Sequence, residues 1–209
     1  FSRAFQLMVE DGSLRVLAVL SEASAVIAEG EVHQLLTTGD LATTEAQYLD
    51  VISAKTAVLF AAAAEVGAVV ADRAEDEVQA LRRFGTKLGI AFQLIDDALD
   101  YAASEAALGK TVGDDFREGK VTLPVILAYA RGTPEERAFW HRTIEDLEQT
   151  DADLPAAQAL IEQHGTVRET VERARQVGDE AKAELLRFPD LPIRRSLMEA
   201  IDFAVSRGY

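Results

Sequence analysis

The stretch FQLIDDALDYAASEAALGKTVGDDFREGK, residues 92–120, carries adjacent aspartates Asp96 and Asp97 in an otherwise apolar run. Asp100 follows one helical turn later, and Lys110 and Lys120 lie beyond it. Residues three and four apart share a helix face, so the three carboxylates point broadly one way. Their neighbours Ile90, Ala91, Phe92, Leu94, Ile95, Ala98 and Leu99 are apolar around most of the helix, the pattern of a core helix. Acids in such a place repel one another and lose hydration unless a positive charge compensates. No cysteine or histidine lies nearby. Oxygen donors alone select a hard cation such as Mg2+, which keeps waters and prefers one or two carboxylates plus substrate phosphates. Lys110 and Lys120 sit among Gly109, Gly113 and Gly119, which let the backbone bend, and lysine meets phosphate as a point charge. Together these features predict a diphosphate site closed by a basic flap over residues 103–120. The alternative for an isolated acidic pattern is a solvated helix edge.

Other polar residues interrupt apolar segments. Lys55 and Thr56 break VISAKTAVLF, either as a second cation site for the same phosphate or as a snorkelling lysine beside a back-bonded threonine. Gln93, one turn before the acids, suits a core amide. Glu31 and Gln34 line a cavity or form a solvated strip. Asp114 and Asp115 are expected to organise the neighbouring lysines. His33, His141 and His164 are scattered without metal spacing.

These residues must be positioned by helices. The chain has 209 residues, 48% hydrophobic, with only five prolines and abundant alanine and leucine, which reads as all-α. Helices are expected over residues 1–10, 14–36, from Thr44 as N-cap to about 70, and 75–102. Further helices are expected in VTLPVILAYARG, from Thr133 as N-cap with Pro134 behind it, and as three or four more to residue 209. The wide apolar face of Leu17, Leu20, Ala23, Ala25, Ile27 and Ala28 predicts that the second helix is buried on more than one side. No linker or repeat divides residues 1–209, so one helical domain is expected. Thirty-six acidic against 21 basic residues, a net charge of −15, disfavour nucleic acid. The absence of cysteine excludes disulfides and thiolate zinc sites. No run of about 20 uncharged apolar residues suggests a membrane span.

GIAFQLIDDALDY followed by LGKTVGDDFREGKVTLPVILA, with EGEVHQL and SAKTAVLF before them, resembles the trans-isoprenyl diphosphate synthases, the polyprenyl synthetase family. The EGE-x-x-QL form is similar to members that make long quinone side chains. The resemblance implies a bundle of roughly ten helices around a central cavity, a homodimer and a cytoplasmic enzyme. It implies Mg2+-dependent condensation of isopentenyl diphosphate with an allylic diphosphate to a long-chain all-trans polyprenyl diphosphate. It implies that Asp96, Asp97 and Asp100 serve the metal, and that Lys55, Lys110 and Lys120 hold the allylic diphosphate. Thr56 and Gln93 would then stabilise the developing carbocation and position the substrate. Asp-Asp occurs only at 96–97 and 114–115, so the family's earlier DDxxD is absent from this sequence. The amino-terminal part bearing it is expected upstream, and the 209-residue segment alone is expected to be inactive. A non-catalytic regulatory subunit and a terpene cyclase-like lyase are the alternatives.

Overall fold

Caps and prolines divide the chain much as the sequence predicts. In the computed structural model, which describes residues 2–102 and 112–207, α1 (Ser2–Asp11) precedes α2 (Leu14–Thr37), whose Ser13 cap accepts from the Val16 N–H. α3 (Glu45–Ile52) opens with a capping box in which Thr44 and Gln47 bond each other's backbone N–H groups. A π-helical turn (Ser53–Ala57) joins it directly to α4 (Val58–Val70). The long α5 (Glu75–Ala102) follows, then the single turn α6 (Asp114–Arg117) and α7 (Leu123–Arg131), with Pro124 in its first turn. α8 (Pro134–Trp140) starts with a second capping box, Thr133 with Glu136, and runs into another π turn (His141–Glu145). α9 (Asp153–Gln163), α10 (Thr166–Leu185) and α11 (Pro192–Ser206) complete the chain, with no strand among the described residues.

α5 is the axis, packed between α4 and α10. The α4 seam is tight because a Cβ on Gly85 would fall 2.4 Å from the Phe60 carbonyl oxygen, and one on Gly89 2.5 Å from the Ala57 Cα. Leu94, Ile95, Ala98 and Leu99 of α5 meet Tyr48, Ile52, Leu123 and Ala174 in one core cluster. The residues around the acids are thus buried, as the apolar run predicts.

Two expectations are corrected. α2 buries only Val16, Ala23 and Gly30, one stripe at seven-residue spacing, while Leu14, Val32, Leu35 and Leu36 are exposed. The reason is that its helical neighbours α4 and the first π turn lie along one side. The predicted flap is not free over its second half: Val112 and Phe116 are buried, with Phe116 edge-on to Trp140 at 6.5 Å between ring centroids. Gly109 and Lys110 lie outside the described residues. The continuous helical run Glu45–Val70, of mean hydropathy 1.5, has the length and composition of a membrane span, yet it carries Lys55 and a buried Glu65 and forms the α5 seam.

Candidate active site

A cavity of about 180 Å³ opens where α2 ends, the first π turn bends the helix, and the C-terminal half of α5 passes α6. Its walls include Gln34, Lys55, Thr56, Gln93, Asp96, Asp97, Asp115 and Lys120. The π turn inserts one extra residue at the position where Lys55 and Thr56 face this space. Such turns recur at functional sites. Lys55 Nζ donates to Gln34 Oε1 and lies 3.1 Å from a Glu31 carboxylate oxygen. The EGEVHQL and SAKT segments, 21 residues apart from Gln34 to Lys55, therefore meet.

A chain of hydrogen bonds runs through the centre. Thr56 Oγ1 donates to Gln93 Oε1 at 2.9 Å, Gln93 Nε2 donates to Asp97 Oδ1 at 2.7 Å, and Tyr48 Oη donates to Asp97 Oδ2 at 2.6 Å. Both oxygens of Asp97 thus carry a protein donor. Burial, followed by the Asp115 charge, pushes the Asp97 carboxyl up to about 7 against the lowering effect of its two donors. Burial and then Asp97 push the Tyr48 phenol well above its ordinary value.

Asp100 faces elsewhere. Its Oδ1 accepts from the Gly113 and Asp114 N–H groups at 3.2 and 3.3 Å, and its Oδ2 from Asp115 N–H at 3.0 Å. It therefore caps the start of α6 and returns the chain to the core. Burial and then Asp115 raise its pKa, while the three N–H groups oppose the rise. The three acids expected on one metal-facing side divide accordingly: Asp96 and Asp97 line the cavity, and Asp100 does not.

Asp96 stands at the mouth, its side chain 39% exposed, with Arg207 Nη2 3.5 Å from Oδ1. Arg207 lies over the Phe92 ring at 3.8 Å and donates to the Phe92 carbonyl at 3.0 Å. Burial lowers its pKa despite Asp96. Opposite, Lys120 Nζ meets Asp115 at 2.9 Å and Glu118 at 2.8 Å. Burial alone would lower its pKa, but Glu118 and Asp115 hold it well above the ordinary lysine value. The expected role of the Asp114–Asp115 pair holds for Asp115, which pairs with Lys120, while Asp114 pairs with Arg117.

The reading from sequence missed Tyr48, 49 residues from Asp97, and Arg207 near the end of the chain. Neither has a local signal. All the acids here offer oxygen only, and no histidine lines the cavity. No group of three or more acidic or histidine side chains among the described residues could hold a metal by itself. That donor set fits a hard cation shared between a carboxylate and substrate phosphates, as Mg2+ prefers.

The family profile described as Polyprenyl synthetase matches residues 1–161. The chain is 44% identical over 207 residues to the octaprenyl diphosphate synthase of Escherichia coli, covering 99% of this chain and 64% of that protein. It is 38% identical to the all-trans-nonaprenyl-diphosphate synthase (geranyl-diphosphate specific) of Rhodobacter capsulatus, covering 99% of this chain and 62% of that one. A crystal structure of polyprenyl synthase from Caulobacter crescentus, complexed with calcium and isoprenyl diphosphate, superposes with a TM-score of 0.96 at 53% identity, covering 99% of this chain and 63% of that one. The chain thus spans somewhat under two thirds of the length of these relatives. With the helical bundle and the cavity residues in place, the chain belongs to the polyprenyl synthetase family.

Proposed function

We propose that the protein carrying this chain condenses isopentenyl diphosphate with an allylic diphosphate, giving a long-chain all-trans polyprenyl diphosphate. The observation that carries this reading is the convergence of Lys55, Thr56, Gln93, Asp96 and Lys120 from three separate segments on one cavity. The names of the octaprenyl and nonaprenyl relatives support it, as do the calcium and isoprenyl diphosphate of the Caulobacter structure.

Heterolysis of the allylic C–O bond leaves a carbocation and a diphosphate of increased negative charge. The Lys55 and Lys120 ammonium groups, already oriented by Gln34 and Asp115, are preorganised for that charge. Lys110 is assigned to the same phosphate. Asp96 would hold Mg2+ together with substrate phosphates, and the ion when bound supplies charge neutralisation to the departing group. The linked oxygens of Thr56 and Gln93 present partial negative charge to the allylic carbon, and Asp97 fixes the Gln93 amide from behind. The alkene of isopentenyl diphosphate then attacks, one carbon–carbon bond forms, and loss of a proton restores a double bond. The exposed Leu14, Val32, Leu35 and Leu36 of α2 suit a second copy across a two-fold axis, and the reaction is assigned to the cytoplasm.

Incubation with radiolabelled isopentenyl diphosphate, farnesyl diphosphate and Mg2+ tests the reading, using the longest natural form that contains this chain. Lipid-soluble radioactive product is expected. Its absence, with the protein folded, overturns the assignment.

A further inference from the structure

Lys120 does not stand alone at the cavity wall. Its ammonium meets Asp115 at 2.9 Å and Glu118 at 2.8 Å, and all three residues ride on one short segment, the α6 turn and the loop that leaves it. The direction of Lys120 is therefore set by the placement of that segment. Its first end is held by Asp100, whose carboxylate accepts from the Gly113, Asp114 and Asp115 N–H groups. Its far end is held where the Gly39 N–H donates to the Gly119 carbonyl at 2.9 Å. Gly119 has a φ of +67°, in the left-handed region, and a Cβ there would lie 2.8 Å from Leu147 Cδ2 and 3.2 Å from the Ile144 carbonyl oxygen. The loop before Lys120 thus rests directly on the second π turn and on the residues that follow it.

Those residues reach back into the segment. Gln149 Nε2 donates to the Phe116 carbonyl of α6 at 2.9 Å and to the Thr143 carbonyl of the second π turn at 2.8 Å. Both partners are acceptors, so the amide can face them only through its nitrogen, whose two hydrogens are both used. The surrounding loop is built to present this side chain. Leu147 holds a φ of +53°, uncommon for a residue with a side chain. Arg142 donates to the Glu148 carbonyl, and Asp153 accepts from the Thr150 N–H at 2.7 Å. Left-handed residues other than glycine persist where their surroundings over-determine them, and they gather at functional sites. Yet none of residues 141–153 lines the cavity.

We propose that Gln149 is a positioning residue: it fixes the α6 segment against the second π turn, and through it the direction of Lys120 toward the diphosphate. This rests on the prenyltransferase reading above, which gives Lys120 its phosphate. A lysine meets phosphate as a point charge on a flexible stem, so its contribution depends on where its backbone and its acidic partners are held. A displacement of about 1 Å, caused far from the chemistry, can cost about a hundredfold in rate.

The test is a double-mutant cycle in the longest natural form that contains this chain, with Gln149→Leu, Lys120→Ala and the two combined. Two quantities are read for each: kcat/KM for farnesyl diphosphate, and the affinity for inorganic pyrophosphate with Mg2+ by calorimetric titration. Gln149→Leu alone is expected to lower both about tenfold or more. With Lys120 already removed, the same substitution is expected to change either by less than about twofold, because residues that act through one another do not add. An amide that serves only the architecture would cause the same loss in both backgrounds, and that result overturns the proposal. Unchanged values in Gln149→Leu alone overturn it as well, as does a wild type that binds no pyrophosphate. A wild type that binds pyrophosphate but incorporates no isopentenyl group overturns the prenyltransferase reading instead, and the pyrophosphate cycle then decides on Gln149 by itself. A thermal melt checks that each variant is folded. Should Gln149→Leu not fold, Gln149→Asn, whose amide is one methylene short of spanning both carbonyls, enters the same cycle. A several-fold loss is expected there, with the same outcomes overturning the proposal.

Discussion

Tyr48 on α3 donates its phenolic hydrogen to Asp97 on α5 across 2.6 Å, and both residues are buried. This bond ties the helix before the π turn to the carboxylate that orients Gln93. Tyr48→Phe removes the donor and leaves a buried carboxylate with one oxygen unpaired. A stability loss of about 1–3 kcal/mol is expected by urea denaturation, typical of a stranded buried polar group. The activity lost should appear in kcat more than in KM, because the variant loosens Gln93 and leaves the lysines in place.

Asp96 and Asp100, both in the acidic motif, should fail differently. Asp96→Ala is expected to lower kcat by about a hundredfold or more, the scale for loss of a group that supports transition-state charge. Its melting temperature should change little, since the side chain stands at the cavity mouth. Asp100→Ala removes the carboxylate acceptor of the Asp114 and Asp115 N–H groups, while the Gly113 N–H keeps the Asp100 carbonyl, at about 1–3 kcal/mol by denaturant unfolding. It should also raise hydrogen exchange over residues 112–118. Equal melting temperatures for the two variants would show that the acids are not divided as described.

Gly89→Ala tests the seam under the π turn. The added methyl meets the Ala57 Cα at 2.5 Å, and backbone cannot yield as a flexible side chain can. Overpacking of this kind costs about 1–3 kcal/mol, to be read by thermal unfolding. Displacement of the π turn should lower activity in the same variant, whereas Gly67→Ala, with open space around its Cβ, should leave activity unchanged.

Acid sensitivity has a source outside the cavity. Asp153 is held well below the ordinary carboxylate range, first by the hydrogen bond from Arg142 and then by the Thr150 N–H. Its folded form therefore favours the ionised acid. That contribution is fully present above the unfolded carboxylate value, near about pH 4, and is lost as pH falls toward the depressed folded value. The melting-temperature gap between wild type and Asp153→Asn should be constant near neutrality and narrow progressively below about pH 4. A gap that is flat down to acid unfolding would count against this pairing.

Signals confined to a few neighbouring residues were readable. Thr44 and Thr133 cap helices, Pro124 opens one, and the apolar run around Asp96 and Asp97 is core. Lys55, Thr56 and Gln93 were recognisable as polar interruptions and through family resemblance, and they do share the cavity. What escaped depends on contacts between distant segments. Spacing placed Asp100 on the same helical side as Asp96, but the returning backbone at 113–115 claims both of its oxygens. The apolar breadth of α2 suggested burial on several sides, yet apolarity reports the whole surroundings of a helix, and its neighbours within this chain cover one stripe. The π turn has no compositional mark, because it is a change of hydrogen-bond partner rather than of residue type.

The π turn also acts as a phase shifter between two halves of one continuous helix. Each residue advances an α-helix by about 100°, so winding the same five residues, 53–57, as ordinary helix would swing α3 about a quarter turn relative to α4. The α4 seam with Gly85 and Gly89 would survive, while Tyr48 would lose Asp97. The surplus residue uncouples the orientation of the catalytic end from the orientation demanded by the core. Substitutions on α4 can therefore repack its seam with α5 without rotating Lys55 and Thr56 away from the cavity.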